Sequence, residues 1–219
     1  MNHFCVFDLD GTLINSLADL ADSMNEALRL HGFPTHKADA YRYFVGDGVL
    51  LLIKRAAPLN CPEETLKRLH EAFSESYSRR CFHKTKPYDG CRELLSTLLE
   101  SGCAVAVLSN KPDEFVGRII KRYYPGIPFA EVRGKRPGYE KKPDPKALLQ
   151  MIERQRVLKS ECLYIGDSNV DVFTAKNAGI RCCGALWGFR GKEELKKAGA
   201  DFFAQHPLDV LKAVNALSK

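Results

Sequence analysis

Two carboxylates, two residues apart at the end of an apolar run, are the first chemistry in this chain. Phe4 to Phe7 (FCVF) has the unbroken apolar character of a buried strand, and Asp8 and Asp10 follow it. In an extended chain residues i and i+2 point the same way, so both carboxylates meet one edge of one site. Left bare, they repel and one takes up a proton. A divalent cation removes the conflict, and Gly11 permits a tight turn there. Further on, Ser109-Asn110 ends another apolar run with short polar donors, and Asp167 ends a third, with Asp171 four residues later. Lys142 stands in Lys-Lys-Pro-Asp-Pro, where Pro143 and Pro145 stiffen the backbone. Together these are the parts of a phosphoryl transfer. A carboxylate can attack and form an acyl phosphate, and a second acid can protonate the leaving group and then deprotonate water. Hard oxygen ligands can hold Mg²⁺, while a cation with hydroxyl or amide donors can steady the phosphoryl oxygens.

Such residues need a scaffold that gathers strand ends. Residues 103–108 (CAVAVL), 162–165 (CLYI), 180–186 (IRCCGAL) and 201–204 (DFFA) read as further strands. Helical patterns occupy 89–101, 113–123, 145–156, 169–178, 192–198 and 207–217. Leu94, Leu95, Leu98 and Leu99 share one helix face, and Gly102 is placed to stop that helix. Strands alternating with helices specify an α/β fold with a Rossmann-like parallel sheet. In such a sheet ligands bind beyond the carboxyl ends of the strands, where the acids fall. Residues 15–82 break the rhythm. They read as helices at 17–31, 37–43, 47–57 and 63–80, separated by Gly32-Phe33-Pro34, Gly46 and Pro58–Pro62. The expected organisation is a core of 1–14 and 83–219 interrupted by a helical cap, 15–82.

The chain has 219 residues, 45% hydrophobic and 27% charged. That composition excludes disorder, a fibre and a coiled coil. No stretch approaches the roughly 18 apolar residues of a membrane span. The N-terminus has no basic n-region and no long apolar run, so a signal peptide is not expected. The eight cysteines are scattered without metal-ligand spacing, which favours reduced thiols and a cytoplasmic location over zinc or disulfides. Of the net charge of +6, the insert carries none. Residues 133–146 hold six basic and two acidic side chains, a local positive field that would attract a small anion. No base-reading motif accompanies the charge, so neither nucleic acid nor a membrane is an expected partner.

The segments DLDGTLINS, Ser109-Asn110, Lys142 in KKPDP, and GDSNVD at 166–171 resemble, in order, the four motifs of the haloacid dehalogenase superfamily. The resemblance covers essentially the whole chain. FVGDGVLLLIKRA in the insert, SNKP at 109–112 and AGIRCCGALWGFR at 178–190 look like its phosphoglycolate phosphatase-like branch, which carries a helical cap after the first strand. The resemblance implies Asp8 as nucleophile and Mg²⁺ ligand, and Asp10 as general acid/base that lends its backbone carbonyl to the metal. It implies Asp167 and Asp171 on the metal side, Asp171 orienting Lys142 or a metal water. Ser109 and Asn110 would bind the phosphoryl group, and Lys142 would neutralise charge on Asp8 and phosphate. Thr12 would support the loop, and Gly46 would face the substrate. Asn15 stands where relatives often carry an acid, and 131–141 matches no motif.

The expected activity is hydrolysis of a small phosphomonoester, such as 2-phosphoglycolate, by a monomer or homodimer. A phosphomutase of the β-phosphoglucomutase kind or a pyrophosphatase on the same scaffold is the alternative. A phospho-accepting receiver would also gather acids, a hydroxyl and a lysine, but the insert and the length speak against it. Lys111 is expected as an exposed loop lysine. Trp187, Phe189, Tyr123 and Tyr124 are expected to pack, and the histidines to be surface or structural groups.

Overall fold

In the computed structural model, which describes residues 3–138 and 140–218, the run Phe4–Phe7 forms strand β1 with every residue buried. A strand with no alternation must be covered on both faces and flanked on both edges, and β1 is. It pairs in parallel with β4 (Ala104–Pro112) on one side and β6 (Cys162–Gly166) on the other. β5 (Glu131–Lys135) extends the sheet beyond β4. β7 (Arg181–Ala185) and β8 (Phe202–Ala204) extend it beyond β6. The resulting order is β5-β4-β1-β6-β7-β8, all parallel. The chain builds outward from β1 in both directions, so the order reverses at β1. A crevice therefore opens at its carboxyl end, where Asp8 sits. Two-residue strands β2 (Ile14–Asn15) and β3 (Lys86–Pro87) form a separate pair.

Helices follow the strands as the periodicity requires. They are α5 (Cys91–Glu100), α6 (Asp113–Tyr123), α7 (Lys146–Gln155), α8 (Asn169–Ala178), α9 (Lys192–Ala198) and α10 (Val210–Asn215). One face of the sheet, with Phe4, Val6, Leu108 and Tyr164, packs against Leu148 and Met151 of α7, Val172 of α8 and Leu195 of α9. In α6, Phe115, Val116 and Ile119 turn inward, with acids in the first turn and bases in the last, as the helix dipole favours. No helix among the described residues is long and apolar enough to cross a membrane. All eight cysteines are free; Cys61 is half-buried and the other seven are buried.

Within the six-stranded sheet, β5 is the strand the sequence pattern missed. Its residues, Glu-Val-Arg-Gly-Lys, carry charges and a glycine that strands disfavour. It is an edge strand, the place where charged residues are tolerated. Its charges also find partners: Glu131 pairs with Arg133 of the same strand at 2.7 Å and with Arg154 of α7 at 3.0 Å. Arg136 pairs with Asp113 at 3.0 Å. Of the six bases in 133–146, Arg133, Arg136 and Lys142 have acidic partners, so part of the positive field expected there is neutralised at short range.

Contacts divide the chain into two compact units, Met1–Ile14 with Pro87–Lys219, and Asn15–Lys86. The second unit holds α1 (Leu17–Leu30), α2 (Tyr41–Phe44), α3 (Val49–Ala56) and α4 (Glu63–Arg80). It keeps Lys84 and Thr85, which a boundary at residue 82 assigns to the sheet. The cause is Asp19 on α1, buried, whose carboxylate accepts from the backbone N–H of Lys84 and Thr85 and from the Thr85 hydroxyl at 2.7–3.1 Å.

Candidate active site

β1 and β6 run side by side to their last residues, and the Asp8 N–H donates to Ile165 O at 2.9 Å. That register sets Asp8 beside Asp167, the residue just past β6. Asp171 lies in the first turn of α8. Carboxylate oxygens of Asp8, Asp167 and Asp171 lie within 4.8 Å of one another, and all three residues are buried. Thr12 Oγ1 donates to Asp167 Oδ1 at 3.2 Å, and the Phe189 N–H donates to Asp167 Oδ2 at 2.7 Å. Asp171 does two jobs. Its Oδ2 accepts from the Ser168 N–H and hydroxyl at 3.1 and 2.7 Å, fixing the start of α8, and its Oδ1 accepts from Lys142 Nζ at 2.7 Å.

Lys142 is almost wholly buried, and its ammonium nitrogen lies 2.7 Å from Asp171 Oδ1, 3.0 Å from Tyr164 OH and 2.9 Å from Asp8 Oδ1. The contact to Asp8 is an ion pair in which Oδ1 receives no aligned hydrogen bond. Three carboxylates against one ammonium leave a formal charge of −2 in a buried space. Burial pushes the Asp8 carboxyl up to about 7, against the pull of Lys142 and with the help of Asp171. Burial, then the charges of Asp171 and Asp8, push Asp167 well up. Burial works against the Lys142 ammonium too, yet Asp171 and Asp8 hold it above the usual lysine range. A hard-oxygen set with two uncompensated negative charges fits a divalent cation, and Asp8, Asp167 and Asp171 are the residues that could hold it.

The carboxylates approach this closely because the backbone around them carries no side chains. A Cβ on Gly11, at φ +89°, would stand 2.2 Å from Asp167 Oδ2, and one on Gly166 would stand 2.3 Å from Asp171 Cβ. One on Gly188 would stand 2.2 Å from Asp167 Cβ and 2.5 Å from Gly11 O.

Residues 5–185 match the family described as haloacid dehalogenase-like hydrolase. A phosphoglycolate phosphatase of Vibrio parahaemolyticus is 33% identical over 95% of this chain and 94% of its own. One from Pseudomonas putida is 35% identical over 84% of this chain and 69% of its own. The crystal structure of a predicted phosphoglycolate phosphatase from Haemophilus somnus superposes with a TM-score of 0.90 at 28% identity, covering 97% of each chain. The chain belongs to the haloacid dehalogenase-like hydrolases. Within that family it lies on the phosphoglycolate phosphatase-like branch.

For this hydrolase the structure brings together Asp8, Asp167, Asp171 and Lys142, and sets the other expected residues around them in ways the sequence did not foretell. Asn110 clamps the lysine loop: its Oδ1 accepts from the Lys142 N–H at 2.8 Å and its Nδ2 donates to Lys142 O at 3.1 Å. That amide holds the backbone beneath Lys142. Ser109 Oγ accepts from the Lys111 N–H at 3.3 Å, which leaves its own hydroxyl proton to give. The Thr12 hydroxyl is spent on Asp167. The Asp10 carboxylate stands outside the three-acid cluster. It pairs with Lys111, which is buried and not the exposed loop lysine expected. Gly46 belongs to the helical unit, at φ +116° between α2 and α3.

Three contributors went unnoticed in the sequence. Tyr164 binds Lys142 and donates to Leu108 O at 2.9 Å. Phe189 and Trp187, expected only to pack, also serve the site: the Phe189 N–H holds Asp167, and Trp187 Nε1 donates to Thr12 O at 2.9 Å. Gly188 makes the close approach possible. The GDSNVD and DLDGT segments reveal the acids but not the backbone that walls them in, because backbone donors have no residue type.

Proposed function

We propose that this hydrolase is a Mg²⁺-dependent phosphatase that cleaves a small phosphomonoester, such as 2-phosphoglycolate, through a phosphorylated Asp8. The observation that carries the reading is the buried cluster itself: three carboxylates, one of them Asp8, braced by a single lysine and short of two positive charges. When bound, a divalent cation supplies charge neutralisation for these carboxylates and for the phosphoryl oxygens.

In the first step Asp8 attacks phosphorus, the bond to the ester oxygen breaks, and the Asp10 carboxyl gives its proton to the departing alcohol. In the second the Asp10 carboxylate takes a proton from water, whose oxygen attacks phosphorus, and the bond to Asp8 breaks. Lys142 keeps Asp8 oriented and offsets charge that builds on the phosphoryl group. The Ser109 hydroxyl donates to a phosphoryl oxygen. Asn110 acts by holding the Lys142 backbone, and Thr12 by holding Asp167. We also propose that the helical unit is a cap, and that Gly46 is among the residues through which it tells one phosphoester from another.

Phosphate release from a panel of phosphometabolites tests this, with 2-phosphoglycolate first. Release should require Mg²⁺, stop reversibly with EDTA and vanish in Asp8→Asn. Full activity in Asp8→Asn, or an isomerised sugar phosphate as the product in place of free phosphate, overturns the reading.

A further inference from the structure

A second buried lysine stands at the carboxyl end of the sheet, and the mechanism above does not use it. Lys111 Nζ lies 3.1 and 3.0 Å from the two oxygens of Asp10, and the two side chains are only 3% and 12% exposed. The backbone under Lys111 is fixed on both sides. Its N–H donates to Ser109 Oγ, and the pairing of β4 with β5 shifts register between Leu108 and Pro112. There Gly134 closes on the segment: a Cβ on it would lie 2.7 Å from Lys111 O and 2.5 Å from Asp113 Cα. The Gly134 N–H also donates to Asp113 Oδ1 at 2.8 Å. A lysine rooted in such a backbone, touching both oxygens of a half-buried aspartate, leaves that aspartate little rotational freedom.

The restraint has a use. Asp8 and Asp10 lie one and three residues past the end of β1, so Asp10 is tethered two residues from a member of the acid cluster. A cation in the cluster of Asp8, Asp167 and Asp171 would attract a fourth carboxylate. An Asp10 drawn onto a cation could no longer pass a proton to an ester oxygen.

We propose that Lys111 is a positioning residue for Asp10, holding its carboxyl out of the cation cluster and in one orientation for proton transfer. The inference rests on the reading of Asp10 as the acid/base of a phosphatase. The ammonium keeps its three protons throughout. The proton that reaches the alcohol leaves Asp10, and the one that restores Asp10 comes from water.

The test compares two esters. p-Nitrophenyl phosphate has a leaving group that departs without a proton; an alkyl phosphate that the enzyme turns over, 2-phosphoglycolate first, does not. Removing general-acid help costs the alkyl ester far more. Lys111→Met should lower kcat/KM on the alkyl ester roughly 10- to 100-fold and on the aryl ester less than about threefold. Lys111→Arg should recover part of the loss. With Asp10 released toward the cation cluster, Lys111→Met should bind Mg²⁺ more tightly than wild type, read without substrate as a larger Mg²⁺-induced rise in melting temperature. Lys111→Gln serves if the methionine variant does not fold. Equal losses on both esters for Lys111→Met, while Asp10→Asn still discriminates between them, overturn the inference and leave the phosphatase reading standing. Equal losses in Asp10→Asn as well, or no hydrolysis of any ester by the wild-type chain, overturn both.

Discussion

Replacing Gly188 by alanine puts a methyl carbon 2.2 Å from Asp167 Cβ and 2.5 Å from Gly11 O. Ordinary contact begins near 3.4 Å, so the shortfall is about 1 Å on two sides at once. Neither neighbour is the loose end of a side chain. One is the first carbon of Asp167 and the other is backbone in the turn after Asp10, so relief requires the Asp167 segment or that turn to move. Overpacking of this kind costs about 1–3 kcal/mol. For a chain of this length that lowers the melting temperature by roughly 2–12 °C. Activity should suffer more, because a misplacement of about 1 Å in a reacting constellation costs on the order of 100-fold. Cation affinity should fall with it, since Asp167 is the group displaced. Gly117→Ala is the matched control. It lies on α6 with nothing within 4 Å of the added carbon, and should stabilise by about 0.5–1 kcal/mol from helix propensity alone. Melts with and without Mg²⁺, and steady-state phosphate release, read out both variants. A Gly188→Ala protein with wild-type turnover and Mg²⁺ half-saturation would refute the argument that this approach sets the position of Asp167.

Three further outcomes are expected. Asp8→Asn should release no phosphate, yet in the absence of metal at pH 8 it should melt no lower than wild type: the raised Asp8 carboxyl means that its charged form is net unfavourable in the folded state, and a lower melt contradicts that. For the same reason the metal-free protein should lose stability as pH rises from about 4, the unfolded carboxyl value, through about 7, the folded Asp8 value. Over the same span Mg²⁺ should raise the melting temperature progressively more, as protons stop competing for the carboxylates; melts across pH with and without Mg²⁺ check this, and a cation effect that shrinks as pH rises counts against the cluster as the cation site. Asn110→Ala removes two hydrogen bonds from the Lys142 backbone, worth about 1–3 kcal/mol together. It should lower kcat with KM little changed, whereas a rise in KM alone would return Asn110 to direct phosphoryl binding.

The sheet and its helices were legible because each apolar run matched its structural period. FCVF, CAVAVL and CLYI are short unbroken apolar runs of the kind that suits strands buried on both faces, and Leu94, Leu95 and Leu98 share one helix face. β5 was not legible, since Glu131, Arg133 and Lys135 lie at a sheet edge where backbone pairing and ion pairs do what apolar burial does elsewhere. Around the site, side chains with charge declared themselves by type: Asp8 and Asp167, just past β1 and β6, meet Asp171 of α8 and Lys142 of the loop before α7. The burial of Lys111 depends on Gly134 and on a register shift in β4, two features with no local signal. The capture of Asn110 by Lys142 depends on the path of the loop between β5 and α7, and Gly188 acts through the absence of an atom.

The eight free thiols make the chain its own unfolding recorder. Burial pushes Cys91, Cys162 and Cys183 up to about 12, and Cys5 and Cys182 well above their ordinary value. An alkylating reagent, which needs a thiolate, therefore finds these sulfurs closed while the native packing lasts. Cys61 and Cys81 fall in the helical unit and the other six in the sheet unit. Counting labels by mass against time would register Cys61 first, Cys81 when the helical unit opens, and the remaining six when the sheet parts. The opening rate of each unit can thus be timed separately, without adding a dye or changing a residue.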